Sequence, residues 1–279
     1  MIVFPNCKIN LGLRILRKRS DGYHDLETVF YPLPITDILE IIRYPVYQKI
    51  FTVPLSKSGF VIDGDPSENL CVKAFKLLKR DFPRLPNVQM HLHKSIPAGA
   101  GLGGGSADGA FTLQVLNKEF ELGLSVEELQ HYALKLGSDC PFFIVNKPCY
   151  ASGRGEILEP VELDLSAYNL VIVNPGISIN TGRAFLHIRP AIPEISIKEI
   201  IKQPLERWKD ELVNDFESWV FKSYPSIVEI KDQLYVAGAL YASMSGSGST
   251  VFGIFARDHI PELNFPPDYF VRTLAGQFK

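Results

Sequence analysis

The feature that most constrains this chain is a dense run of glycines in residues 96–110, which read IPAGAGLGGGSADGA. Five glycines fall within residues 99–105, and Gly109 follows. Glycine permits positive φ angles and lets backbone N–H groups approach a ligand closely. Residues 88–93 alternate between apolar and polar like a strand, and residues 106–117 are compatible with a helix. A strand, a glycine loop and a helix N-terminus in this order predict a phosphate-binding site.

The type of phosphate site is not settled by the glycines alone. The loop is not a Walker A sequence, because no Gly-Lys-Ser/Thr ends it. Gly99, Gly101 and Gly104 do form a G-x-G-x-x-G pattern, and Glu119 and Glu121 fall near the position of a ribose-binding acid. A nicotinamide-dependent oxidoreductase is therefore one alternative, and a structural loop without a ligand is another. The lack of regular βαβ units weighs against the oxidoreductase.

Several clusters recur in order along the chain and sharpen the interpretation. They are PNCKINLGL at residues 5–13, SDGYHDL at 20–26, LGSDCPFF at 136–143, ASGRGE at 151–156 and MSGSGSTVFGIF at 244–255. Together with the glycine loop they resemble the GHMP kinases, named for galactokinase, homoserine kinase, mevalonate kinase and phosphomevalonate kinase. The resemblance covers nearly the whole chain.

The resemblance implies an α+β fold of two domains with the active site in the cleft between them. Residues 1–155 would form an ATP-binding domain like the second domain of ribosomal protein S5, and residues 156–279 a ferredoxin-like domain. The DGYH and LGSDCPFF elements point to members that use ATP and Mg²⁺ to phosphorylate the 2-hydroxyl of 4-diphosphocytidyl-2-C-methyl-D-erythritol. That reaction belongs to non-mevalonate isoprenoid precursor synthesis. Another small-molecule GHMP kinase and a non-catalytic nucleotide sensor remain alternatives.

Two residues are candidates for the chemistry. Asp139 follows a predicted helix end and precedes Pro141, where it could equally be a solvated loop residue or a helix cap. Lys8 lies in an apolar, alternating strand, where it could be exposed or could face an anion. In the family the matching aspartate and lysine lie beside the accepting hydroxyl, which implies a base and an electrostatic partner for phosphoryl transfer.

The acceptor-binding residues follow from the same resemblance. Tyr23 and His24 would recognise cytosine, and Phe185 would take the opposite face of the stack. Asn10 lies two residues from Lys8, so both side chains can share one strand face. The predicted substrate-binding residues are Asn10, Tyr23, His24, Thr181, Phe185, Gly246 and Ser247.

The nucleotide would be held mainly by the glycine loop and its flanks. Asp108 could bind there or simply favour the N-terminus of the helix. No carboxylate cage for Mg²⁺ is readable, so its ligands are left unassigned. The predicted ATP-binding residues are Asn69, Lys94, Pro97, Ala98, Gly99, Ala100, Gly101, Leu102, Gly103, Gly104, Gly105, Ser106 and Ala107.

Composition bounds the remaining possibilities. The 279 residues carry a net charge of −2 without a long basic block, so nucleic acid is not an expected partner. The 46% hydrophobic content supports a sizeable core, but no run is long enough to predict a membrane span. We expect a cytoplasmic monomer or weak homodimer without a signal peptide. The four cysteines fit no zinc motif and are expected to be free thiols, and Cys7 and Cys140 beside the candidate residues could make the site sensitive to thiol reagents.

Secondary structure elsewhere is predicted from periodicity. Strands are expected at residues 9–15, 38–43, 168–173, 235–240 and 250–255. Helices are expected at residues 69–79, from 125 to near 137, and at 197–202 and 215–224. The proline- and glycine-containing segment 44–65 is expected to form a hairpin or a variable excursion.

Overall fold

The structure is a computed structural model that describes residues 1–44, 53–61 and 64–276. The strands are β1 (Ile2–Val3), β2 (Asn6–Lys18), β3 (His24–Thr36), β4 (Ile38–Arg43), β5 (Leu55–Gly59), β6 (Val88–Lys94), β7 (Cys149–Ser152), β8 (Ile157–Pro160), β9 (Asn169–Asn174), β10 (Tyr241–Met244), β11 (Val251–Phe255) and β12 (Phe270–Leu274). The α-helices are α1 (Leu70–Asp81), α2 (Gly104–Glu119), α3 (Val126–Leu136), α4 (Cys140–Val145), α5 (Thr181–Leu186), α6 (Ile197–Ile200), α7 (Trp208–Glu211), α8 (Glu217–Ser223) and α9 (Pro225–Val236). Single 3₁₀ turns lie at Pro66–Glu68 and Leu205–Arg207. No helix among the described residues is both long and apolar enough to cross a membrane.

The described chain divides into two compact units, and the first comprises residues 1–7, 35–98 and 103–147. Its sheet has the strand order β1-β4-β6-β5, in which β5 runs parallel to β6 and the other pairs are antiparallel. Helix α1 packs on α2, and a Cβ at Gly109 would lie 2.9 Å from Cβ of Leu70. The glycine at this helical position therefore lets the two helices approach closely.

The second unit comprises residues 8–34, 99–102 and 148–279. It contains one sheet of order β2-β3-β7-β8 and an antiparallel sheet of order β10-β11-β9-β12. Strand β9 is buried along its whole length, as its continuous apolar run predicts. The domain boundary predicted after residue 155 stays a prediction.

Local signals explain several of the helices. Ser125 caps α3 in a reciprocal capping box with Glu128, and Gly137 ends this helix where the sequence places its end. Asn69 caps α1 by accepting the N–H of Cys71 at 2.9 Å. The predicted α+β class is confirmed by this mixture of helices and largely antiparallel sheets.

The strand predicted at residues 235–240 is wrong. Pro225 starts α9 at a position where its missing N–H costs nothing, and the helix runs on to Val236. Residues 237–240 then leave the helix, and the strand begins only at Tyr241. A short apolar run cannot by itself separate a strand from the end of a helix. Of the excursion predicted at 44–65, residues 45–52 and 62–63 lie outside the described residues.

Candidate active site

The predicted order of strand, glycine loop and helix is present. Strand β6 ends at Lys94, and α2 begins at Gly104, two residues before its predicted start. Gly103 precedes the helix with φ of +71°, and no side chain caps the first N–H groups. A 16-residue helix with such an N-terminus presents donors and a positive dipole end, which favour phosphate.

Lys94 is engaged inside the first unit. Its Nζ donates to Oδ2 of Asp108 at 2.8 Å and to the carboxylate of Asp37. Oδ1 of Asp37 accepts the N–H groups of Ser95 at 2.6 Å and Ile96 at 2.9 Å, so it also holds the backbone that enters the loop. Asp108 therefore has a role that neither sequence interpretation anticipated, and the nucleotide contact of Lys94 stays a prediction.

This cluster has two carboxylates for one ammonium. All three side chains are buried, and Oδ1 of Asp108 has no hydrogen-bond partner among the described residues. Burial raises the pKa of Asp108 to about 7, although the charge of Lys94 acts in the opposite direction. Burial by itself would lower the pKa of the Lys94 ammonium. The ion pairs of Lys94 with Asp108 and Asp37 outweigh this effect, so the pKa of the ammonium is raised.

Lys8 is buried on β2 in the second unit, with 3% of its surface exposed, which excludes the exposed-lysine interpretation. Its Nζ donates to Oδ1 of Asn10 at 2.5 Å and lies 3.5 Å from the carbonyl oxygen of Gly101. The ammonium also lies 4.9 Å from the ring centre of Phe30. Nδ2 of Asn10 donates to Oγ1 of Thr28 at 3.0 Å, which fixes the amide with its oxygen towards Lys8. The predicted common face of Lys8 and Asn10 is confirmed.

Two glycine segments of the second unit, residues 99–102 and the turn at residues 245–248, contact each other directly. Ser245 Oγ donates to the carbonyl of Gly101 at 2.8 Å and accepts the N–H of Asn10 at 3.1 Å. The N–H of Thr250 donates to the carbonyl of Ala100 at 3.2 Å. Gly101 has φ of +79°, and a Cβ there would lie 2.1 Å from the carbonyl oxygen of Ser245. Only glycine fits at residue 101 without displacing the second turn.

The predicted acceptor residues form two pairs within this unit. Thr181 and Ser247 join their hydroxyl oxygens at 2.8 Å. The rings of His24 and Phe185 stack at 4.8 Å with an interplanar angle of 16°. Tyr23 is 54% exposed instead, with the guanidinium of Arg154 4.6 Å from its ring centre. Partial burial lowers the pKa of His24 and so favours a neutral ring.

Asp139 stands at the entrance of α4 in the first unit. It occupies the N-cap position, but its side chain makes no capping hydrogen bond, so the helix-cap interpretation is not supported. The neighbouring Cys140 is buried, and burial raises the pKa of its thiol to about 12 while a hydrogen bond with Ser106 acts in the opposite direction. All four cysteines are buried, and none of them forms a disulfide with another.

Of the other predicted ATP-binding residues, Asn69 caps α1, and the rest lie in the loop and at the start of α2. Ala98 and Gly99 are exposed, whereas Ala100, Leu102 and Ala107 are buried and could contact a ligand only through their backbone. Among the described residues, no group of three or more His, Cys, Asp or Glu side chains could hold a metal ion.

Sequence reasoning missed several buried polar residues that organise the site. Asp37, Thr28, Ser245 and Asn214 all make the backbone or side-chain contacts that hold the predicted residues in place. Ser245 lies within the motif at residues 244–255, in which the predicted substrate-binding residues are its neighbours Gly246 and Ser247. Nothing in the local pattern around Asp37 or Asn214 signals a long-range polar contact.

Comparison with known families gives a match to the GHMP kinases N terminal domain over residues 69–147 and to GHMP kinases C terminal over residues 196–263. The chain is 52% identical over 274 residues to 4-diphosphocytidyl-2-C-methyl-D-erythritol kinase of Bacteroides fragilis, covering 98% of this chain and 99% of that protein. It is 50% identical to the protein of that name in Cytophaga hutchinsonii, covering 91% and 92% of the two chains.

Solved structures give the same picture at the level of the fold. A crystal structure of 4-(cytidine 5'-diphospho)-2C-methyl-D-erythritol kinase is similar with a TM-score of 0.79 and 28% identity, covering 99% of this chain and 100% of that one. The mevalonate kinase of Methanococcus jannaschii is similar with a TM-score of 0.65 and 13% identity, covering 93% and 92%. The second likeness concerns the fold alone.

Proposed function

The chain belongs to the GHMP kinase family, and from that membership we propose that it transfers the γ-phosphate of ATP to the 2-hydroxyl of 4-diphosphocytidyl-2-C-methyl-D-erythritol. The products are the 2-phosphate and ADP. Relatives bearing the name of this kinase match nearly the whole chain at 42% to 52% identity. The reaction is a step in non-mevalonate isoprenoid precursor synthesis.

The observation that carries the proposal is the buried ammonium of Lys8 beside the glycine segment. Lys8 is 3% exposed, and the hydrogen bond of its ammonium to Asn10 at 2.5 Å holds that group in one position beside β2. Fixed positive charge in a site shielded from water stabilises the charge that develops on a transferring phosphoryl group. We assign Lys8 this electrostatic role and Asn10 the role of orienting it and the acceptor hydroxyl.

The proposed transfer forms one P–O bond, breaks another, and moves one proton from the acceptor to the enzyme. The 2-hydroxyl oxygen bonds to the γ-phosphorus while the bond from that phosphorus to the β–γ bridging oxygen breaks. The hydroxyl proton passes to the carboxylate of Asp139, and ADP leaves with the bridging oxygen. Positioning and charge neutralisation supply most of the rate enhancement in such reactions.

Recognition of the cytidine end is assigned to the aromatic residues. Tyr23 offers an exposed ring, and the ring of Phe185 is covered on one face by His24. A cytosine that stacks on Phe185 must therefore use its other face or displace His24. Base stacking on an aromatic side chain contributes about 1–3 kcal/mol per base. Thr181 and Ser247, already paired, are assigned to the polar part of the acceptor.

ATP is assigned to the glycine stretch and to the N-terminus of α2. We propose that Mg²⁺ enters bound to the ATP phosphates, because this ion is usually held by substrate phosphates and waters together with one or two carboxylates. Bound in that way, the ion would neutralise part of the phosphate charge. A monomer or weak homodimer in the cytoplasm stays our expectation.

The test of the acceptor is ADP release with ATP and Mg²⁺. We expect turnover with 4-diphosphocytidyl-2-C-methyl-D-erythritol and at least a 100-fold lower kcat/KM with the same molecule lacking the cytidylyl group, because a lost stack and its hydrogen bonds amount to about 3 kcal/mol. Equal turnover of both acceptors would favour another small-molecule GHMP kinase. ATP binding without turnover of either would favour a nucleotide sensor.

The test of the base is Asp139→Asn, which removes the proton acceptor and keeps the size of the side chain. We expect kcat to fall by about 100- to 10,000-fold, the usual contribution of a positioned acid or base. Ser138→Ala alters the adjacent residue and should keep most of the activity. Melting temperatures of both variants should stay near that of the parent chain. Turnover of Asp139→Asn close to the parent value would remove Asp139 from the mechanism.

A further inference from the structure

Asn214 is a buried asparagine of the second unit, and it lies outside the sequence clusters that resemble the GHMP kinases. It lies in the segment before α8, with 3% of its surface exposed. Its Nδ2 donates to the carbonyl of Met244 at 2.7 Å and to that of Gly246 at 2.8 Å. Its Oδ1 accepts the N–H of Phe216 at 3.0 Å, which establishes that the amide nitrogen faces the turn.

These two bonds set the direction of the peptide groups in the second glycine turn, residues 245–248. The carbonyls of Met244 and Gly246 point towards Asn214, so neither projects its negative end where a phosphate would approach. Among the described residues, the N–H groups of Gly246 and Ser247 donate to no protein acceptor, whereas those of Ser245 and Gly248 do. Successive free N–H groups around a residue with positive φ, here Gly246 at +57°, form an anion-binding concavity.

Asn214 is itself fixed to the strand that carries Lys8. The N–H of Leu13 donates to the carbonyl of Val213 at 2.9 Å, and the N–H of Asp215 donates to the carbonyl of Leu13 at 2.8 Å. Oδ2 of Asp215 accepts the N–H of Ile15 at 2.8 Å. Residues 213–215 are therefore hydrogen-bonded to β2, and Asn214 in turn is hydrogen-bonded to the glycine turn. The position of the turn thus depends on the position of β2.

From this geometry we infer that Asn214 is a positioning residue, which turns the carbonyls of residues 244 and 246 away and leaves the N–H groups of residues 246 and 247 for phosphate oxygens of the bound substrates. The inference rests on the proposed kinase function. Asn214 touches no reacting atom and acts only through the turn.

The test is Asn214→Asp, which preserves shape and the bond to Phe216 but replaces the donating NH₂ by an oxygen. An ionised carboxylate would face two carbonyls and repel them, whereas a protonated carboxyl can donate to one of them. Burial and the facing carbonyls raise the pKa of such a carboxyl. We expect kcat of Asn214→Asp to be about 100-fold below the parent value at pH 8.5 and to recover at least tenfold relative to it at pH 6.

The matched control is Asn169→Asp. Asn169 is equally buried, its Nδ2 donates to the carbonyls of Arg257 and His259, each at 3.0 Å, and its Oδ1 accepts the N–H of Gly276 at 2.9 Å. The chemical change is the same, but the carbonyls that face it belong to residues 257 and 259, a segment without any predicted site residue. We expect Asn169→Asp to lower the melting temperature and to keep the parent pH profile of kcat.

Amide hydrogen exchange provides a readout that does not depend on the acceptor. At equal pH, Asn214→Asp should accelerate exchange at Ser245 and Gly248, and Asn169→Asp should not. A pH profile of Asn214→Asp parallel to the parent, or unchanged exchange at these amides, would overturn the inference. Absence of turnover by the parent chain together with accelerated exchange would overturn the proposed function and still support the hold of Asn214 on the turn.

Discussion

Replacing Gly101 by alanine tests whether the contact between the two glycine segments matters for catalysis. The added Cβ would lie 2.1 Å from the carbonyl oxygen of Ser245, whereas real Cβ contacts essentially never fall below 3.0 Å. Backbone must therefore move by at least 0.9 Å, the difference between these two distances. The displaced residue is the one whose hydroxyl joins Asn10 to Gly101.

The expected loss of stability in Gly101→Ala has two parts. A left-handed φ costs a residue with a Cβ about 1–2 kcal/mol, and overpacking costs about 1–3 kcal/mol more. Gly101→Ala should therefore lower the free energy of unfolding by about 2–5 kcal/mol, a large share of the 5–15 kcal/mol typical of a domain. Misplacement of a site by about 1 Å can reduce turnover by about 100-fold, and we expect this effect on kcat.

Gly123→Ala is the matched control, because Gly123 has φ of +74° and nothing within 4 Å of the added Cβ. It should show the φ cost of about 1–2 kcal/mol alone and keep the parent kcat. Urea denaturation and steady-state kinetics, at a temperature where both variants are folded, separate the two effects. Equal stability losses in the two variants, or full turnover by Gly101→Ala, would refute the proposed contact.

Two further predictions concern titratable groups of the first unit. Because the pKa of Asp108 is raised to about 7 from 3.8, its contribution to stability is present below pH 4 and is lost as the pH rises through 7. Asp108→Asn keeps the pair of Lys94 and Asp37 and should remove this pH-dependent loss of stability. The same change in melting temperature between pH 4 and pH 8 in the variant and the parent would contradict this prediction. Cys140, whose thiol pKa is near 12, should react slowly with iodoacetamide at pH 8 in the native protein and readily in urea. Rapid native labelling would revive the expected thiol sensitivity.

Local signals in the sequence correctly predicted the secondary structure around the candidate site. The alternation of residues 88–93, the glycines and the following apolar periodicity gave strand β6, the loop and helix α2 in the correct order. The two-residue spacing of Lys8 and Asn10 gave their common face, because side chains alternate along a strand. The wrong strand at residues 235–240 arose where a short apolar run carried no periodic signal of its own.

The residues that escaped sequence reasoning share a physical cause. A glycine-rich segment has no side chains with which to fix its own backbone, so groups from distant segments must do so. Asp37 accepts the N–H groups that lead into the first glycine stretch across 58 residues, and Asn214 donates to the carbonyls of the second turn across 30. Asp37 binds backbone N–H groups, whereas Asn214 binds backbone carbonyls. Both side chains are buried, and both bind the backbone at the start of a glycine segment. A glycine-rich segment of this kind therefore needs a buried polar partner elsewhere in the chain. The peptide groups that the partner must orient determine its type, but its position follows only from the fold.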